Sequence, residues 1–167
     1  MNKFLCAAVV LSTLIPSYAL ADQTYQVVFV NKSYATLSIA PNGSAGKCFS
    51  LWNVPSPAAN LTNKSGNNET TVRVTDKNSG NCINAEKKAA WTVTPAGSVG
   101  QVITMDHQHA NWTTQVISNA YDKDPAKNQS IIKKATCQIG VNPSSYVDCY
   151  NKPVSGLPEV GTIIIEF

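Results

Sequence analysis

Thr71-Val72-Arg73-Val74-Thr75 alternates polar and apolar residues without a break, which puts both valines on one face of an extended chain. A strand with one buried face requires this period of two. Working outward, Tyr25–Val30 (YQVVFV) reads as a strand and Asn31-Lys32-Ser33 as a turn. Ala35–Ala40 follows, with Leu37 and Ile39 alternating around Ser38. Further strands are expected at Lys47–Trp52, Ala90–Thr94, Gln101–Met105, Trp112–Ile117, Ser130–Lys134 and Gly161–Phe167. Asn84–Ala90 (NAEKKAA) holds helix formers but leaves room for one turn before Trp91.

About 8–10 short strands divided by Gly, Asn, Pro and Ser predict an all-β fold. The expected architecture is an antiparallel β-sandwich, Ig-like or jelly-roll-like, stapled by disulfides. No repeat or linker interrupts Asp22–Phe167, which reads as one domain. Two stretches look irregular, Asn53–Glu69 and Asn119–Asn128. The first is much longer than the usual connection of about 4–6 residues, and such loops are often functional.

Met1–Ala21 has the form of a cleavable export signal. Lys3 is the positive start, Phe4–Ile15 the apolar stretch, and Ala19 and Ala21 stand at the −3 and −1 positions of cleavage. The apolar run is about 12 residues, short of the roughly 20 needed to span a bilayer. Its style is that of a Gram-negative bacterium, so the protein is expected to be secreted through the periplasm. Cleavage removes Lys3 and no acid, lowering the formal charge by one from +3. So small a balance predicts no grip on nucleic acid, and Lys87-Lys88 and Lys133-Lys134 read as short solvated pairs.

Cleavage also removes Cys6, leaving Cys48, Cys82, Cys137 and Cys149. An even number in an exported chain implies two bridges. Cys137 and Cys149 are symmetric about Pro143 in the turn sequence Asn142-Pro143-Ser144-Ser145, so a hairpin brings them together and leaves Cys48 for Cys82. No CxxC unit suggests a zinc cluster.

Both histidines lie in Met105-Asp106-His107-Gln108-His109. If the strand from Gln101 continues, His107 and His109 share the face of Ile103 and Met105, with Asp106 opposite. Such a pair is a candidate for a divalent metal, given a third ligand from elsewhere. No other cofactor is expected. Thiol catalysis is excluded by the bridges, and there is no GxSxG elbow, GxGxxG or P-loop.

Aromatic residues near strand ends offer binding chemistry instead. Trp112, Trp52 and Tyr121 are the candidate ligand contacts, whereas Trp91, between Ala90 and Val93, reads as core. His107, His109, Trp112 and the Asn53–Glu69 loop are expected to form one neighbourhood. The expected function is non-catalytic recognition of a surface glycan, lipid or host protein by a monomer or weak oligomer. A pilus-like subunit pairing through the final strand is the alternative, and a metal-dependent hydrolase the third reading.

Overall fold

The computed structural model describes residues 22–44, 46–51, 59–64, 66–108, 112–140, 145–157 and 161–167. Met1–Ala21, read above as an export signal, and Trp52, His109 and the expected turn at Pro143 lie outside the described residues. The strands are β1 (Thr24–Val30), β2 (Leu37–Pro41), β3 (Phe49–Leu51), β4 (Ala59–Leu61), β5 (Glu69–Asp76) and β6 (Lys87–Pro95). They continue with β7 (Gln101–Gln108), β8 (Thr113–Ser118), β9 (Lys134–Gln138), β10 (Tyr146–Asp148), β11 (Val154–Ser155) and β12 (Thr162–Glu166). One six-stranded sheet has the order β10-β9-β12-β1-β5-β3 and the other β11-β8-β7-β6-β2-β4. Among the described strands pairing is antiparallel except between β1 and β12, which run parallel.

Alternation decides which faces meet. Tyr25, Val27 and Phe29 of β1, Val72 and Val74 of β5, and Ile163 and Ile165 of β12 point into the core from one sheet. Leu37 and Ile39 of β2, Trp91 and Val93 of β6, and Ile103 and Met105 of β7 meet them from the other. The Phe29 ring sits edge-on to Trp91 across the sandwich, 5.1 Å between centroids, and stacks on Phe167 at 6.2 Å. β12 is hydrogen-bonded on both sides, to β1 and β9, so its isoleucine run belongs to the middle of a sheet.

The chain passes between sheets at both edges, and a disulfide sits at each passage. Lys47 bridges to Lys88 in one sheet, and two residues later Phe49 pairs with Asp76 in the other. Cys48 lies between them in a left-handed conformation (φ 55°) and is bonded to Cys82. On the far edge, Asp148 pairs with Thr136, whereas Tyr150 bridges to Val116 of the opposite sheet. Cys149 makes this turn, bonded to Cys137, and Asn151 (φ 50°) completes it. Non-glycine residues rarely adopt positive φ, and here two of them mark the corners.

Several details differ from the sequence reading. Instead of a helical turn at Asn84–Ala90, a 3₁₀ turn occupies Gly80–Cys82 and β6 starts at Lys87. Ser130–Lys134 is not a strand: β9 begins only at Lys134, while Ile132 packs into the core from irregular chain. β4 lies in the stretch read as irregular and β11 where no strand was expected, both too short to give a periodic signal. The cysteine hairpin forms, but Val147 stands opposite Cys137 and the backbone N–H of Cys149 donates to Ala135. The bridge therefore crosses the ladder diagonally.

The Cys48–Cys82 bridge spans a sequence separation of 34 and Cys137–Cys149 one of 12. Loop-closure entropy then assigns them about 4 and about 3 kcal/mol. Denaturant titration of the two double Cys→Ala variants is expected to show the larger loss for Cys48/Cys82. A larger loss for the short loop would mean that the bridges act by holding the corners instead.

Candidate functional site

At the end of the sandwich where β5 stops and β6 starts, Asp76 and Lys87 both point inward. Each lies on the apolar parity of its strand, Asp76 after Val72 and Val74, Lys87 before Ala89, Trp91 and Val93. Both side chains have no solvent exposure, and Lys87 Nζ lies 2.9 Å from Asp76 Oδ2. Burying two charges is costly unless they pair and their remaining hydrogen-bonding capacity is filled. Here it is filled closely. Lys87 Nζ also donates to Asn78 Oδ1, and Asp76 Oδ1 accepts from Asn78 Nδ2 at 3.0 Å and from the Gln23 backbone N–H at 2.6 Å. The Asn78 backbone N–H donates to Asp22 Oδ1 at 2.8 Å. Lys87 is thus the opposite of the solvated surface residue expected from the Lys87-Lys88 pair.

Aromatic rings close over this polar group. His107 stands opposite Lys87 in the β6–β7 ladder and is buried, with Nδ1 2.8 Å from the Thr114 hydroxyl. Its ring lies between Tyr25 and Trp112, with centroids 5.6 Å away on each side. Trp112 also carries Lys87 Nζ 5.6 Å from its ring centre, a cation–π distance. It opens the turn into β8 at φ 47°, a conformation unusual for a bulky side chain and often found at binding sites. Trp112 keeps 40% of its surface exposed. It is therefore held against the cluster while part of its surface reaches solvent.

The residues singled out from sequence do not all converge. His107 and Trp112 are in contact. Asp106 points to the other face, where its Oδ2 accepts from Gln108 and Gln115. Tyr121 follows the far end of β8, since Ser118 pairs with Ile103 while Thr113 pairs with Gln108 beside Trp112. The described part of Asn53–Glu69 also lies at that far end: Leu61 pairs with Leu37, and Glu69 with Val30. That described part is therefore apart from His107 and Trp112, because the turns that lead into β5 and β8 lie at opposite ends; the rest of the loop and His109 lie outside the described residues. Among the described residues no group of three or more His, Cys, Asp and Glu is placed to hold a metal ion.

The far end has its own features. Tyr121 packs edge-on against Tyr150, centroids 5.3 Å apart, and the Tyr150 hydroxyl donates to Ser130 Oγ at 2.5 Å. Burial pushes the Tyr150 phenol above its ordinary 10.0, with the Ser130 hydrogen bond opposing and Tyr121 adding to the rise. In neighbouring turns Tyr34 is 99% and Val99 88% exposed.

Sequence reasoning missed Asp76, Asn78, Lys87 and Tyr25 as members of the cluster. The signal was present for two of them. Extending the Val72–Val74 alternation by one step puts Asp76 inside, and extending Ala89–Trp91–Val93 backward does the same for Lys87. No protein-family model matches the chain, and neither does any curated protein or solved structure.

Removing one member of the buried pair strands the other charge. Asp76→Leu or Lys87→Met alone is expected to lower stability by about 3–5 kcal/mol in denaturant titrations. The double variant should lose less than the sum of the two. Additive losses would show that the charges do not depend on each other.

Tyr150 makes stability fall at high pH. Its raised pKa means that, above 10.0, the folded chain keeps a proton that the unfolded chain releases. This contribution is complete below the ordinary phenol value and is lost as pH rises through the folded one. Tyr150→Phe should flatten the alkaline decline in stability, at a cost of about 1 kcal/mol at neutral pH for the lost hydrogen bond. An unchanged pH slope would contradict the assignment.

Proposed function

We propose that this chain is an exported bacterial recognition protein, without catalytic activity, that binds a surface glycan through the solvent-exposed part of Trp112. One observation carries the reading: an indole held against His107 and Lys87 that still keeps 40% of its surface exposed. Sugar rings stack on indole faces, and an aromatic platform already fixed in place loses little entropy on binding. A short loop on a rigid scaffold is a common place for such contacts.

Supporting features come from the rest of the chain. The Met1–Ala21 signal and the two bridges suit an oxidising destination outside the cytoplasm. Among the described residues no helix is long and apolar enough to cross a membrane. The ionisable side chains of the cluster are buried and engaged with one another, a poor arrangement for acting on an external substrate. Strand donation is less well supported, because β12 is already paired on both sides.

Trp112→Ala should weaken binding to glycans selected on an array by at least about 10-fold, with the circular dichroism spectrum unchanged. Tyr34→Ser, at the far end, should bind as the parent does. Loss of binding in Tyr34→Ser but not in Trp112→Ala would move the site to the opposite end, and failure to bind any glycan would sink the proposal.

A further inference from the structure

The buried cluster places an amine, a carboxamide and a carboxylate in mutual contact. Lys87 Nζ touches Asn78 Oδ1, so the amide carbon of Asn78 is one bond from the atom it meets. Asp76 spans the two nitrogens: Oδ2 lies 2.9 Å from Lys87 Nζ, and Oδ1 accepts from Asn78 Nδ2 at 3.0 Å. A nucleophile, its acyl carbon and a proton carrier reaching both nucleophile and leaving group form a complete set for acyl transfer. We propose that Lys87 and Asn78 become joined by an intramolecular amide bond, with Asp76 carrying the proton.

The chemistry balances without any further reactant. One proton passes from the Lys87 ammonium to the Asp76 carboxylate, leaving a neutral amine beside a carboxylic acid. The Nζ lone pair forms a bond to Asn78 Cγ, and the carbonyl pair moves onto Oδ1. As the carbonyl re-forms, the Cγ–Nδ2 bond breaks, and the departing nitrogen takes up a second proton from the former amine by way of Asp76. Ammonia leaves. The third proton remains on the new amide, and Asp76 ends protonated.

Three physical features favour the step. Asp76 and Lys87 are completely buried and Asn78 nearly so, beneath Tyr25, His107 and Trp112, so hydrolysis has little access to the same carbonyl. The reaction turns a buried ion pair into neutral groups, which removes the penalty for holding two charges away from water. The reactants are also fixed in place. The Asn78 backbone is tied to Asp22, Asp76 to Gln23, Lys87 to the β6–β7 ladder, and Cys82, between Asn78 and Lys87 in sequence, to Cys48. Such fixation supplies the high effective concentration that amide exchange needs. This bond is independent of glycan binding at Trp112 and is tested separately.

The test is the intact mass of the purified protein, reduced and denatured, with its N-terminus read by sequencing. The chain is expected to be lighter than its sequence by one ammonia, about 17 Da. Peptide mapping should find the segments carrying Asn78 and Lys87 joined, with no tryptic cleavage after Lys87. Lys87→Arg and Asp76→Ala should keep the full mass. Asn78→Asp should reach the same mass as the parent, since condensation of an acid releases water and yields the same amide. A parent chain of full mass that is folded by circular dichroism overturns the proposal, as does an ammonia loss mapped to any other residue.

Discussion

Lys87 reaches from one sheet to Asp76 on the other, and the contact closes at 2.9 Å with neither side chain exposed to water. A lone charge at either position would be untenable there, so each sheet can settle only where it supplies the other's partner. That condition fixes how the end of β5 faces the start of β6. It also recruits the chain before β1, because the Gln23 backbone and Asp22 complete the hydrogen bonds of Asp76 and Asn78. The rings of Tyr25, His107 and Trp112 then have a defined floor on which to pack. Apolar packing such as Phe29 against Trp91 supplies most of the driving force but is tolerant of small shifts. The ion pair is not tolerant, and registry between the sheets follows from it.

The edges obey a second constraint. A sandwich of two open sheets has four edge strands, each with unpaired backbone groups. Here they are β10, β3, β11 and β4, none longer than three residues. Near β3 and β10 the chain leaves one sheet for the other within two residues, at Cys48 and Cys149. Each corner needs a backbone conformation that side chains resist, seen at Cys48 and Asn151, and each is held by a bridge. The long strands, including the final one, are kept to the interior. The described turns that join them gather at the two ends of the sandwich.

Legibility in the sequence followed the strength of the local pattern. Thr71–Thr75 and Tyr25–Val30 were readable because alternation over several residues leaves few other ways to bury the same side chains. Ser130–Lys134 failed because its apolar residues pack from irregular chain, with Ile132 in the core and Ser130 held by Tyr150. Lys87 failed for a different reason. Charge normally predicts exposure, and only a partner 11 residues earlier in sequence makes its burial tolerable. Trp112 could be guessed to be exposed, but not that a lysine and a histidine support it from beneath.

The sequence by itself determined the all-β class, most strand positions and the pairing of the cysteines, because these rest on period, turn chemistry and parity within short windows. Only the tertiary structure decided that β12 lies between β1 and β9, that Tyr121 and Trp112 occupy opposite ends, and that Asp76, Asn78 and Lys87 meet. Those outcomes depend on which strands become neighbours. Strand order is set by burying all the apolar faces and the buried charges at once, a condition no local stretch contains.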